Sequence, residues 1–242
     1  MRKEFGGYLP LELNARKREY YQKTGEFEVI RFNNGRATFF YAAKEQKMKK
    51  IFLPYFTCPE TEAPFVELNI EVEYYFLTDQ LTPKNIKPNN NEYILWTNYY
   101  GNASEVDKAF MVKNFKNLII DNCNAFFSTP LEGAFNCYST RKFFGVSDGA
   151  YLIKDNFCLS NTIEKDTSFA NAVHLIKQWD TGVHSGYPES LCNENRLSNN
   201  YKAMSRFTQK LLETIDYEKV RKKRRENFLT MHEILSKKMS FQ

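Results

Sequence analysis

The feature that most constrains this chain is the recurrence of short apolar runs at intervals long enough to hold a helix. IFLP (Ile51 to Pro54) reads as a short buried strand, and YILWT (Tyr93 to Thr97) and NLIID (Asn117 to Asp121) read as two more, the last ending on a carboxylate. EFEVIRF (Glu26 to Phe32) and EVEYYFL (Glu71 to Leu77) add two strands rich in β-branched and aromatic residues. Helix-forming segments lie between them. RATFFYAAKEQKM (Arg36 to Met48) can bury Phe39, Phe40 and Ala43 on one face, and TCPETEAPFVEL and ASEVDKAFMVKN read as two further helices. LTPKNIKPNNNE (Leu81 to Glu92), with its prolines and asparagines, is a loop. Strands alternating with helices predict βαβ units and a largely parallel sheet.

From Ile163 onward the pattern turns mainly helical. Phe169, Val173, Ile176 and Trp179 are spaced for one helical face, and Val220, Phe228, Met231 and Leu235 form an apolar stripe on a final helix. A chain of 242 residues, 42% hydrophobic and 26% charged, can bury a sizeable core, which excludes a disordered or collagen-like protein. The net charge of +5 is too mild to select a class of partner. No stretch approaches the roughly 20 apolar residues that span a bilayer, and MRKEFGGYLPLEL lacks the apolar centre of a signal peptide, so a soluble, unprocessed chain is expected. Cys58, Cys123, Cys137, Cys158 and Cys192 form no C-x-x-C pair, which points to free thiols and a cytoplasmic location. His174, His184 and His232 show no i, i+4 spacing, so no metal site is expected; His184 lies in a loop-like stretch that can approach a site.

Three segments can carry chemistry. Asn33-Asn34-Gly35-Arg36-Ala37-Thr38 joins a strand to a helix, where free backbone N–H groups and the helix dipole favour an anion such as phosphate. An ordinary strand-to-helix turn uses the same residues for backbone reasons. Asp121 stands at the carboxyl end of a strand, where ligands bind in parallel sheets and a carboxylate can hold a cationic ring nitrogen. It equally suits a cap before Asn122. Lys142, within YSTRKFFGVSDGAYL, has bulky apolar neighbours that would keep its amine partly out of water and available as a nucleophile, although a surface lysine can have the same neighbours.

Taken in chain order, these features resemble the DegT/DnrJ/EryC1/StrS family of PLP-dependent sugar aminotransferases. The most specific stretches are NLIIDNCNAFFSTPLEGAF and YSTRKFFGVSDGAYLI, with IFLPYFTCPE and LWTNYYGNASEVD between the expected landmarks. The resemblance runs from about Phe32 through Asp148-Gly149-Ala150 and on into the later helices. It implies an α/β fold, the large domain of a type I PLP-dependent transferase, with a mixed, mostly parallel sheet flanked by helices. It also implies a homodimer. The expected organisation is an N-terminal segment at 1–25, a PLP-binding domain at 26–216, and a linker helix at 217–242 leading toward a C-terminal small domain that the sequence does not contain.

Site residues follow from the resemblance position by position. Lys142 matches the lysine that binds pyridoxal 5'-phosphate covalently, and Asp121 the carboxylate that pairs with the pyridinium nitrogen. Asn124 falls where relatives carry a polar residue near the cofactor oxygen. Gly35, Arg36 and Ala37 match the phosphate-binding turn, and Ser139 is a further phosphate ligand. Tyr55, Phe56 and Cys58 are the candidates for stacking on the cofactor; Cys58 stands where relatives often have an aromatic ring, and Cys137 where many have a serine. Tyr99 and Tyr100 are expected near the pocket. The implied substrates are an amino-acid donor, typically glutamate, and a keto-sugar, usually nucleotide-linked, in polysaccharide or surface-sugar biosynthesis. The rival readings are a non-catalytic member of the same fold and an anion- or nucleic-acid-binding module built on the basic run Arg221 to Arg225, which a solvated helix face explains better. The primary expectation includes neither nucleic acid nor membrane.

Overall fold

In the computed structural model, which describes residues 11–13, 18–22, 27–198 and 200–236, the apolar runs become neighbouring strands of one sheet. The strands are β1 (Phe27–Phe32), β2 (Lys50–Pro54), β3 (Glu71–Tyr75), β4 (Tyr93–Thr97), β5 (Leu118–Asp121), β6 (Phe135–Ser139) and β7 (Ala150–Asp155). Their order across the sheet is β1-β7-β6-β5-β4-β2-β3. Pairs from β3 through β6 are parallel, and β7 runs antiparallel to both its neighbours, β6 and β1. The sheet is therefore mixed and mostly parallel, flanked by helices, and all strands except β7 point their carboxyl ends the same way.

Successive side chains of these strands enter two different cores. Ile51, Leu53, Leu95 and Ile119 face one core with α1 (Gly35–Glu45), while Phe52, Ile94, Trp96, Leu118 and Ile120 face the other with Met111 of α3 (Glu105–Asn114). Burial on both faces explains why these strands are continuously apolar. Ala42 and Ala43, fully buried on α1, let that helix lie close to the sheet. Ser104 and Asp107 start α3 with reciprocal side-chain bonds to each other's backbone N–H.

Some elements differ from expectation. The segment read as a helix from Thr57 to Leu68 is a 3-10 turn at Pro59–Thr61 followed by the short α2 (Ala63–Glu67), because Pro64 has no N–H to donate and fits only the first turn of a helix. The strand beginning at Glu71 ends at Tyr75. Strands β6 and β7 were not expected, since β6 reads FNCYS and is buried throughout without alternation. Asn136, its second residue, is fully buried and donates to the carbonyls of Leu131 and Ala134. The periodic run Phe169 to Trp179 does become helical, as a 3-10 turn and α4 (Val173–Thr181), but it is not a core face: Trp179 is 91% exposed. Helix α5 (Tyr187–Leu197) follows, then α6 (Arg206–Leu212).

The chain divides into two compact units. One comprises residues 21–209 and contains the sheet, α1 through α5 and the cleft described below; the other comprises 1–20 with 210–242. In the latter, Tyr20 packs its ring 5.4 Å from that of Tyr217, which opens α7 (Tyr217–Ser236) and donates its hydroxyl to the Leu212 carbonyl. The apolar stripe of α7 is present but exposed at Phe228, Met231 and Leu235. Most of segment 1–25, residue 26 and residues 237–242 of the expected linker segment lie outside the described residues. No helix among the described residues is long and apolar enough to cross a membrane.

Candidate active site

The carboxyl ends of β1, β2, β5 and β6 open on one cleft of about 350 Å³. Gly35 and Arg36 reach it from the start of α1, Cys58 and Glu60 from the turn after β2, and Asp121 from the end of β5. Ser139 at the end of β6, the adjoining Arg141 and Lys142, and Glu194 of α5 complete the wall. Ligand sites in open α/β sheets gather at this edge because the strand ends present loops and helix N-termini to a common space.

One end of the cleft gathers backbone donors and cationic side chains. Asn34 caps α1, its Oδ1 accepting the Ala37 N–H at 2.9 Å, and its Nδ2 donates to the carbonyls of Leu197 and Asn200. The amides of Gly35 and Arg36 have no acceptor among the described residues, so they remain available at the positive end of the helix dipole. A Cβ on Gly35 would lie 3.1 Å from the Cys123 Sγ, so glycine permits the close approach of α1 to the end of β5. Two guanidinium groups stand beside these amides. Arg141 grips the Glu194 carboxylate with both terminal nitrogens, and Arg36 lies 3.8 Å from the same carboxylate. The Arg141 hydrogen bond holds the Glu194 carboxyl below its ordinary range, against the opposing effect of burial.

Asp121 is buried and fixed. Its backbone is locked in β5 between Thr97 and Cys137, and its Oδ1 accepts the Cys123 N–H at 2.9 Å. Lys142 sits on the turn after β6, where Phe143 and Phe144 both donate their N–H groups to the Thr140 carbonyl. Thr140 in turn donates its N–H and hydroxyl to the Gly149 carbonyl. Gly149 adopts φ +128°, and its own N–H donates to the Asn33 carbonyl at 2.6 Å. The start of β7 thus clasps both the lysine turn and the residue that precedes the α1 cap. The expected apolar shield around Lys142 is absent: Phe144 is buried in a ring cluster with Phe126 and Phe127, and Lys142 itself is exposed on the cleft.

The thiols beside the cleft are poor nucleophiles. Burial pushes the Cys123 thiol well up, with the charge of Asp121 adding to it, and burial followed by the bond to Glu60 raises that of Cys58. Lys142 is the one lysine among the residues that line the cleft.

The cleft gathers Gly35, Arg36, Asp121, Ser139, Lys142 and Cys58 from the sequence-derived set. Ala37 is fully buried behind it with its amide engaged by Asn34. Asn124 is exposed and does not line it. Tyr55 and Phe56 also lie off the cleft wall, Tyr55 stacked on Tyr74 and Phe56 on Tyr99. Neither Tyr99, Tyr100 nor the exposed His184 lines it. Sequence reasoning missed Arg141 and Glu194. Arg141 adjoins Lys142 and was within reach; Glu194 reads as an ordinary charged position on a surface helix.

No family model matches the chain, and no curated protein does. Solved structures overlap it in part. NtdA from Bacillus subtilis, solved with bound cofactor PMP, is 16% identical with a TM-score of 0.44 over 53% of this chain and 33% of that one. A DegT DnrJ EryC1 StrS aminotransferase from Brucella abortus is 14% identical with a TM-score of 0.41, over 53% and 42% of the two chains. The histidinol-phosphate aminotransferase from Clostridium acetobutylicum is 13% identical with a TM-score of 0.45, over 72% and 56%. The chain therefore spans less than two-thirds of the length of each of these proteins.

Proposed function

We propose that this chain is the cofactor-binding large domain of a fold-type-I, PLP-dependent aminotransferase acting on a keto-sugar. The observation that carries the reading is the convergence of a buried strand-end carboxylate, a lysine amine and a two-arginine anion site on one cleft. The donor set fits the cofactor: two available amides, the Ser139 hydroxyl and Arg36 suit a phosphate, and Asp121 suits a protonated ring nitrogen. The cleft volume of about 350 Å³ lies within the range of small-ligand sites.

Bound there, PLP would supply an electron sink for the donor carbon that loses a proton. Asp121, held rigidly by Cys123 and the sheet, would keep the ring nitrogen protonated. The Lys142 Nζ would hold the cofactor and move a proton at the donor's carbon. Gly35, Arg36 and Ser139 would orient the group by its phosphate.

The donor in this reading is glutamate, and the acceptor is a nucleotide-linked keto-sugar of surface-polysaccharide synthesis. The working form is a homodimer in the cytoplasm, a compartment that suits the five free thiols. The test is amino-group transfer by the protein supplied with PLP and glutamate. Formation of 2-oxoglutarate that is abolished in Lys142→Ala supports the reading; equal formation by wild type and variant contradicts it.

A further inference from the structure

Among the described residues, Glu194 is the carboxylate that forms ion pairs with both Arg36 and Arg141, and it comes from outside the strand-end loops. It is carried by α5, whose neighbouring residues are firmly anchored. Asn193 donates to the Ser147 carbonyl at 2.6 Å, and Arg196 pairs with the buried Asp166 at 2.9 Å. The Glu194 side chain is 51% exposed, so it can swing into solvent while α5 stays in place. Its carboxylate has the charge and the planar oxygen pair that an arginine fork binds, which makes it a stand-in for an anionic ligand group.

We propose that Glu194 is an internal plug of the anion site, which an incoming phosphate group displaces from Arg36 and Arg141. The identity of that phosphate as the cofactor's rests on the function proposed above; the displacement does not. With the plug in place, both guanidinium groups have a carboxylate beside them. A phosphate dianion gains what the carboxylate cannot reach, the amides of Gly35 and Arg36, and releases Glu194 to water. The exchange lowers apparent affinity by the strength of a half-exposed ion pair, about three- to tenfold.

The test is calorimetric titration of inorganic phosphate and of PLP into the full chain as wild type, Glu194→Gln and Glu189→Gln. The last removes an α5 carboxylate that pairs with Lys177 away from the cleft. Glu194→Gln is expected to bind both probes about three- to tenfold more tightly, with Glu189→Gln matching wild type. Glu194→Asp, one methylene shorter, serves if the glutamine variant does not fold, and is expected to move in the same direction by less. In an Arg141→Met background the gain from Glu194→Gln should shrink. Unchanged or weaker phosphate binding in folded Glu194→Gln overturns the proposal. Borohydride trapping run alongside separates the two readings: tighter phosphate without PLP attachment at Lys142 keeps the plug and removes the cofactor, and attachment without any effect of Glu194 does the reverse.

Discussion

Replacing Asn34 by alanine should cost stability at a point that also sets the site. Its Oδ1 caps α1 at Ala37 N–H, a contact worth about 1 kcal/mol and at most about 2. Its Nδ2 donates to the Leu197 carbonyl at 3.1 Å and the Asn200 carbonyl at 2.9 Å, and Asn34 is 3% exposed, so water cannot readily take over. Each of those bonds contributes about 1 kcal/mol net, which brings the expected loss to about 2–4 kcal/mol. Domains are stable by only about 5–15 kcal/mol, so the loss is readily measured. Urea unfolding at unchanged m should show it as a midpoint shift, and Asn34→Ser, which keeps the cap and loses the long donor, should recover about 1 kcal/mol. A loss below about 0.5 kcal/mol for Asn34→Ala, or a serine variant no better than alanine, would refute the assignment of Asn34 as both cap and strut.

Gly149→Ala should destabilise by about 2–4 kcal/mol in the same assay, since φ +128° strains any L side chain and a Cβ would lie 2.3 Å from Thr140 Oγ1; a change within about 0.5 kcal/mol would contradict it. Because Arg141 depresses the Glu194 carboxyl in the folded state, the pair's contribution is complete above the ordinary value of 4.5 and is lost as pH falls through the lower folded value. The stability gap between wild type and Arg141→Met should therefore narrow between about pH 7 and pH 3, and a gap that widens would be inconsistent with the pairing. Under native conditions, iodoacetamide should label the exposed Cys158 and Cys192 while sparing the buried Cys123 and Cys137, as read by peptide mass spectrometry; early labelling of either buried thiol would contradict the packing.

The parallel half of the fold was legible because its strands are covered on both faces. YILWT and NLIID have no other way to be buried, and they appear as β4 and β5 with boundaries within a residue of those expected. Strand β6 was illegible for the opposite reason: FNCYS is as buried as β5, but its Asn136 is paid for by carbonyls whose proximity only the fold creates. Helix α4 kept its periodicity and lost the inference drawn from it, since a 3.6-residue stripe states where apolar groups lie, not what covers them. At the site, Asp121 was visible as a strand end, and Gly35 and Arg36 as a helix start. Lys142 was picked out by bulky neighbours that do not in fact shield it, and by resemblance to a family; Glu194 was not visible at all, because its partner Arg141 is 53 positions away in sequence.

The most direct test of the central claim is borohydride reduction of the protein mixed with PLP, followed by peptide mass spectrometry, on wild type and Lys142→Ala. The account predicts a phosphopyridoxyl group on the peptide carrying Lys142 that disappears in the variant. A folded protein with no modification at Lys142, or with modification spread equally over surface lysines in both forms, would contradict it.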